Sequence, residues 1–297
     1  MTVPVFPIPF TAAEDAALAG LLRQRFQTDA ARFCRLYLNG VAAGYLKQPW
    51  LAHVLQDWPL RLEESADGVF LYTDDWLLMG EALQHMAYGW HQAGHLGGWR
   101  DERFSMTHPE DGRVLFALER AAFRPLGLCS HAVHLNGLGQ GADGWGFWIA
   151  RRSPFKAVDP NRLDNMVGGG IAAGESVQQA LLREGFEEAG LPADWLHGCV
   201  EQSRLFSERE VARGLHREWL HIFDVVLPPR CRPENRDGEV AEFMLLRPDE
   251  LAAAMLAGQF MNDALLATLD ACRRHGLLPA NGAVSAQLCA WAEPIQP

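Results

Sequence analysis

The sequence predicts an α+β / α/β protein, and three features carry that reading. Segments alternating with period two and segments of helical period follow one another without the regular βαβ rhythm of a doubly wound fold. Of 297 residues, 48% are apolar and ten are tryptophan, enough to bury a large core in one or two domains. One stretch, GGIAAGESVQQALLREGFEEAGL over residues 169–191, reads as a tight glycine turn leading into a single helix crowded with carboxylates.

In chain order, residues 11–27 read as an amphipathic helix, with Thr11 as N-cap and Glu14 three residues on. Residues 33–46 read as a β-hairpin turned at Asn39-Gly40, with flanks that alternate in hydrophobicity. A short helix over 49–58, a strand over 68–73 and a longer helix over 74–94 follow, the last capped by Asp74 or Asp75. Segments 98–106 and 114–123 lead toward the next unit. Trp50, Trp58, Trp76, Trp90 and Trp99 concentrate here. Core and interface packing is the plainer account of them, and a surface that stacks on a substrate ring is the other. His85, His91 and His95 stand at i, i+6 and i+10, which does not converge on one helix face as a metal site needs.

From about residue 126 the pattern changes. Residues 128–140 and 144–153 read as two strands joined by a glycine-rich turn, and 166–170 enters the acidic helix. Residues 200–208 and 217–228 read as a second pair of strands. Residues 238–251 read as a strand running into a helix with Pro248 early in it, and 261–277 as a C-terminal helix. The expected division is an N-terminal α+β region over 1–125, a main unit over 126–278 and an unperiodic C-terminal tail over 279–297.

The acidic helix has local reasons to form. Glu175 and Ser176 open it, where acidic groups suit the positive end of the dipole. Gly190 closes it, and Pro192 prevents its continuation. Glu184, Glu187 and Glu188 stand at i, i+3 and i+4, so their side chains leave one face. Three like charges repel, and a bound divalent cation reverses the sign of that energy. Carboxylate oxygens suit hard cations such as Mg2+ or Mn2+. A solvated acidic face is the bland alternative, and it leaves the glycines at both ends unexplained.

This stretch resembles the Nudix box, G-x5-E-x7-R-E-U-x-E-E-x-G-U with U a bulky aliphatic residue. Gly169, Glu175, Arg183, Glu184, Glu187, Glu188, Gly190 and Leu191 occupy its fixed positions, and Gly185 stands where Ile, Leu or Val is usual. The resemblance implies a Nudix α/β/α sandwich with a mixed sheet over 126–278, preceded by the smaller α+β region. It implies hydrolysis of a diphosphate, with Glu184, Glu187 and Glu188 holding Mg2+ (or Mn2+) and the backbone carbonyl of Gly169 or Gly170 as a further ligand. Arg183 would hold a box glutamate by a bidentate pair. Glu175 would stand behind the metal or pair with Arg183. A box glutamate or a loop carboxylate would activate water. Glu239 is favoured for the loop carboxylate over Glu242, the alternative being a solvated strand end.

Arg151, Arg152 and Lys156 follow a strand just before the box, where they meet a terminal phosphate or form a solvated basic turn. Asn165 is a turn residue or a substrate contact. Gly185 costs the helix about 1 kcal/mol relative to Ala, and close helix–sheet packing is the reason offered, with a tolerated departure as the alternative.

The short stretches HLNG (134–137), WIARRS (148–153), LDNMVGGG (163–170), RGLHREW (213–219) and GEVAEF (238–243) resemble one Nudix subgroup. Its members carry an N-terminal region before the Nudix domain, and a related unit is fused to thiamine pyrophosphokinase in some fungi. Members are implicated in hydrolysing damaged forms of thiamine diphosphate to the monophosphate. The expected function is therefore metal-dependent hydrolysis of a small-molecule diphosphate, with oxidised thiamine diphosphate as one substrate. The alternatives are a pyrophosphatase acting on a nucleotide sugar, ADP-ribose or an oxidised nucleotide, and a non-catalytic ligand sensor. An isoprenoid diphosphate isomerase shares the box without support elsewhere in the chain.

Composition bounds the partners. The formal net charge of −11 argues against a nucleic-acid backbone, though not against a small phosphorylated substrate met through metal ions. No run reaches the apolar length of a membrane span, and the N-terminus lacks a basic region followed by an apolar core. The six cysteines are scattered without a C-x-x-C pair, so reduced thiols and a cytoplasmic setting are expected. A homodimer is among the assemblies the sequence allows.

Overall fold

The chain, seen in a computed structural model, is described over residues 4–156 and 158–293. Helix α1 (Ala12–Arg25) starts on the expected capping box. The Glu14 amide donates to the Thr11 hydroxyl at 3.2 Å, and the Thr11 amide donates to the Glu14 carboxylate at 2.7 Å. Strands β1 (Cys34–Leu38) and β2 (Val41–Leu46) are joined by Asn39 and Gly40, at φ 47° and 82°, both left-handed as a type I′ turn requires. Helix α2 (Trp50–Asp57) precedes β3 (Leu62–Ser65) and β4 (Gly68–Leu71), and α3 (Trp76–Gln92) follows, capped by Asp75. The four strands form a mixed sheet in the order β2-β1-β4-β3. The alternation in the sequence does not mark β3, because this edge strand is mostly exposed and is defined by its pairing with β4.

Segments 98–106 and 114–123, which only led onward in the sequence, contain a hairpin of β5 (Arg103–Thr107) and β6 (Val114–Glu119). Helix α4 (Phe123–Leu126) then enters the larger sheet. That sheet comprises β7 (Cys129–Gly141), β8 (Gly144–Arg152), β9 (Leu163–Asp164), β10 (Val167–Gly170), β11 (Ser203–Val211), β12 (Gly214–Val226), β13 (Val240–Leu246) and β14 (Ala292–Glu293). Its main order is β13-β8-β7-β12-β11-β14, with β10 on β7 and β9 on β8, and β7 runs parallel to β12. Helix α5 (Val177–Ala189) and α6 (Ala193–Leu196) come after β10, and α7 (Pro248–Leu256), α8 (Asn262–Arg274) and α9 (Ala283–Trp291) come late.

Strand alternation sends neighbouring side chains to opposite faces. Val133, Leu135, Trp148, Phe223 and Val225 bury against α5 and α6. Ala132, Leu138, Phe147, Ile149, Leu220 and Ile222 bury against α1, α7, α8 and α9. The sheet is thus mixed and sandwiched between helices, as expected.

Residues 279–297, expected as an unperiodic tail, include α9. Its start is secured from far away in sequence: the amides of Ala283 and Val284 donate to the buried Asp15 carboxylate of α1 at 2.7 and 3.3 Å. Helix α1 in turn buries Leu18, Ala19 and Leu22 in the core of the larger sheet. Trp50, Trp58 and Trp90 are buried in the N-terminal core, and Trp76 and Trp99 pack against it, so these rings are packing groups. The histidines diverge: His91 stacks on Trp99, and His95 lies against His53. Among the described residues no helix is long and apolar enough to cross a membrane.

Candidate functional site

Strand β10 delivers three glycines to the edge of α5, and each admits a close approach. The Gly168 amide donates to Glu188 Oε2 at 2.9 Å. A β-carbon on Gly169 would lie 2.0 Å from Glu184 Oε1, and one on Gly170 would lie 2.4 Å from the Phe104 ring. Only glycine leaves that space. The helix then starts on a capping box between Ser176 and Gln179 and ends at Gly190, φ 64°, where the Leu191 amide reaches back to the Gly185 carbonyl at 2.9 Å. Gly185 is explained by packing, though not against the sheet: a β-carbon there would lie 2.4 Å from Leu196 Cδ1 of α6.

Arg183 organises the acidic face. Its Nε and Nη2 donate to the two oxygens of Glu175, both at 2.8 Å, which makes Glu175 the bidentate partner. Its Nη1 reaches Glu184 at 2.7 Å and Glu187 at 3.4 Å, and Nη2 also reaches the Gly170 carbonyl at 3.2 Å. The hydrogen bonds it donates to Glu175 and the neighbouring carboxylates raise the Arg183 pKa against the effect of burial. Glu188 is buried, and burial followed by the charges of Glu184 and Asp164 pushes its pKa up to about 8. Burial also raises Glu184, with Arg183 opposing.

Lys156 and Arg152 stand beside these carboxylates. The Lys156 ammonium pairs with Glu239 and lies 3.9 Å from Glu188, and burial lowers its pKa. Arg152 pairs with Asp164 at 2.6 Å and donates to the Val158 carbonyl at 3.0 and 3.2 Å. Arg151 must be corrected as a substrate contact. As the neighbour of Arg152 in a strand it takes the opposite face, and it pairs there with Glu242 at 2.6 Å. The same pair removes Glu242 and leaves Glu239 at the site. Asn165 is buried in a network with Asn136, Thr268 and His134, at 2.8, 2.9 and 2.8 Å. It is therefore a structural residue.

Glu184, Glu187, Glu188, Arg183, Glu239, Arg152, Lys156 and Gly169 all line one cavity of about 870 Å³. The N-terminal region supplies the wall facing them, including Glu102, Phe104, Arg120, Phe123 and Arg124. Sequence reasoning missed this wall, since no local pattern announces a contact made across the chain. Phe104 lies in the middle: its neighbour Arg103 accepts the Ala173 amide at 2.8 Å, and Phe104 itself bridges to Ala172.

Two groups of acids deserve comparison as metal sites. His216, Glu218 and Asp263 bring their ligand atoms within 4.8 Å of one another. They do not fit a cation. Arg124 Nε donates to His216 Nδ1 at 3.2 Å, and a guanidinium only donates, so the neutral ring carries its hydrogen on Nε2. That hydrogen faces Asp263 at 3.4 Å and Glu218 at 3.6 Å, and Arg209 already forks Asp263 at 2.6 and 2.8 Å. Burial alone would raise Asp263, but Arg209 holds it well below the usual carboxylate range. The box is different. Its donors are hard oxygens, and the raised Glu184 and Glu188 gain most from a neighbouring positive charge. The Gly170 carbonyl lies near this acidic face, 3.2 Å from Arg183 Nη2. These residues fit a hard divalent cation.

The NUDIX domain family matches residues 133–266. A Nudix hydrolase of Deinococcus radiodurans is 34% identical over 183 residues, covering 61% of this chain and 99% of that protein. Nudix hydrolase 24, chloroplastic, of Arabidopsis thaliana is 32% identical over 198 residues, covering 62% of this chain and 51% of that protein. The chain spans about half the length of the curated Arabidopsis relatives it matches. A crystal structure of a protein from Deinococcus radiodurans aligns at a TM-score of 0.40 and 24% identity, covering 57% of this chain and 96% of that one. With the box glutamates gathered on one helix and a full-length relative at this identity, the chain belongs to the Nudix hydrolase family.

Proposed function

We propose that this protein is a metal-dependent hydrolase of a small-molecule diphosphate. The observation that carries the reading is the crowding of Glu184 and Glu188 at the wall of a large cavity, over glycines that leave room for them. Glu184, Glu187, Glu188 and the Gly169 carbonyl would hold Mg2+ (or Mn2+). When bound, that ion supplies positive charge against the phosphate oxygens and makes water more acidic.

The chain's own groups do the rest. Arg183, clamped to Glu175, holds the Glu184 carboxylate in place. Glu239 accepts the proton of the attacking water. Lys156 and Arg152 bind phosphate oxygens. Water adds to one phosphorus, the bridging P–O bond breaks, and two phosphate products leave. The unit over 126–278 carries this chemistry, and the region over 1–125 closes the cavity above it.

Oxidised thiamine diphosphate, cut to the monophosphate, is the substrate to test first, on the resemblance to the subgroup linked to thiamine pyrophosphokinase. The size of the cavity, about 870 Å³, favours a second reading, a nucleotide sugar, ADP-ribose or oxidised nucleotide. Free cysteines fit a reducing setting such as the cytoplasm. A panel of these diphosphates scored by kcat/KM with Mg2+ separates the readings. Binding without turnover across the panel would make the protein a sensor. Full phosphate release by Glu187→Gln would remove the metal role given to Glu187.

A further inference from the structure

Besides the carboxylates of α5, arginines from α4, from the segment before it and from the turn between β11 and β12 line the cavity. Four of the cavity's arginines already meet carboxylates. Arg183 forks Glu175, Arg152 pairs with Asp164, Arg209 forks Asp263 and Arg120 pairs with Glu102. Arg100 is exposed to water.

Arg124 and Arg213 are in a different position. Among the described residues neither has a carboxylate oxygen within 4.0 Å. Arg124 donates Nε to the His216 ring at 3.2 Å, and Arg213 donates Nη1 to the Gly97 carbonyl at 3.2 Å. A guanidinium has about five N–H donors, so most of each fork is unused by these bonds. Gly98, at φ 79°, seats Arg213 closely: a β-carbon there would lie 2.8 Å from its Nη1. Burial lowers the pKa of both groups. Glu218 and Asp263 oppose this at Arg124, where Arg209 and Arg213 add to it, and Arg120 adds to it at Arg213. Like charges brought together with part of their hydration removed favour an anion between them. The planar fork of arginine matches a phosphate.

The geometry points to Arg124 and Arg213 as a subsite for a phosphate group on the cavity wall that α4 and the turn between β11 and β12 supply. The phosphate is either carried by the substrate or released as orthophosphate, and both sources rest on the hydrolase reading above. Binding itself rests on the arginines alone.

Orthophosphate titrated into the full chain by calorimetry, in metal-free buffer, tests the subsite without turnover. Binding is expected for the wild type and for Glu187→Gln, weakened about tenfold or more in Arg213→Gln. Arg213→Lys, which keeps the charge and loses the fork, should fall between them. Arg213 is the variant of choice because Arg124 also holds His216. No binding to the wild type overturns the proposal, and so does undiminished binding to both folded Arg213 variants.

Turnover then assigns the source. A raised KM for the diphosphate in Arg213→Gln, with kcat retained, supports a substrate phosphate. An unchanged KM with lost inhibition by orthophosphate supports the released ion. A wild type that binds orthophosphate but hydrolyses no diphosphate overturns the hydrolase reading and leaves the subsite standing.

Discussion

Glu184 folds back over Gly169 so closely that a β-carbon on the glycine would stand 2.0 Å from its Oε1. Arg183 Nη1 donates to the same Oε1 at 2.7 Å. Gly169→Ala must therefore displace a carboxylate that the arginine is holding. The expected outcome is a loss of about a hundredfold in kcat/KM with Mg2+, the scale that goes with a misplaced reacting group. The melting temperature should move by only a few degrees, since the displaced group is a side-chain end. Phosphate release and a circular-dichroism melt check both halves. Unchanged release by a folded variant would show that this contact does not position the chemistry.

Gly185 meets Leu196 at the position that the box pattern gives to a bulky aliphatic residue. Gly185→Val should overpack this contact and destabilise the protein by about 1–3 kcal/mol, although valine suits a helix better than glycine. Leu196→Ala in the same chain should recover part of the loss. A double-mutant cycle in urea reads the coupling. Simple additivity would mean that the two side chains do not compete for the space.

Phe104 joins the N-terminal region to the box. It is buried, its ring sits edge-on to Phe123 at a centroid distance of 5.6 Å, and it fills the space beside Gly170. Phe104→Ala should cost about 3–5 kcal/mol of stability, measured by denaturant unfolding. KM should rise as well, because the ring walls the cavity. A stable variant with unchanged KM would separate this wall from function.

Asp224 reports on acid stability. Burial alone would raise it, but the hydrogen bond from His275 and the Arg274 fork hold its pKa at about 2, below an ordinary 3.8. The folded value lies below the unfolded one, so the stabilisation is complete above about pH 4 and is lost as pH falls toward 2. Asp224→Asn should lose about 2 kcal/mol at pH 7, with the gap to wild type closing over that acid range. Urea midpoints at pH 7, 5, 3 and 2 test it, and a gap independent of pH would assign the effect to packing.

The parts of the site legible in the sequence are those whose causes are local. Glu184, Glu187 and Glu188 share a face because helix geometry brings i, i+3 and i+4 together. Ser176 and Gly190 bound the helix through contacts only a few residues long. The hairpin at Asn39-Gly40 and the capping box at Thr11 were readable for the same reason. Arg151 and Arg152 show where such reading stops. Adjacent in sequence and alike in chemistry, they are separated by the pleat of β8, and only Arg152 lines the cavity.

By itself, then, the chain's order of residues determined the acidic helix and its caps, because each follows from periodicity and near-neighbour chemistry, while the mixed sheet beside that helix was implied by the resemblance to the Nudix box. Tertiary structure alone decided which wall faces that helix. Asp15 caps a helix 268 positions away, and Phe104 and Arg124 enter the cavity of a distant segment. Such contacts depend on how whole sheets and helices pack, and no short stretch of sequence encodes the packing of its distant partner.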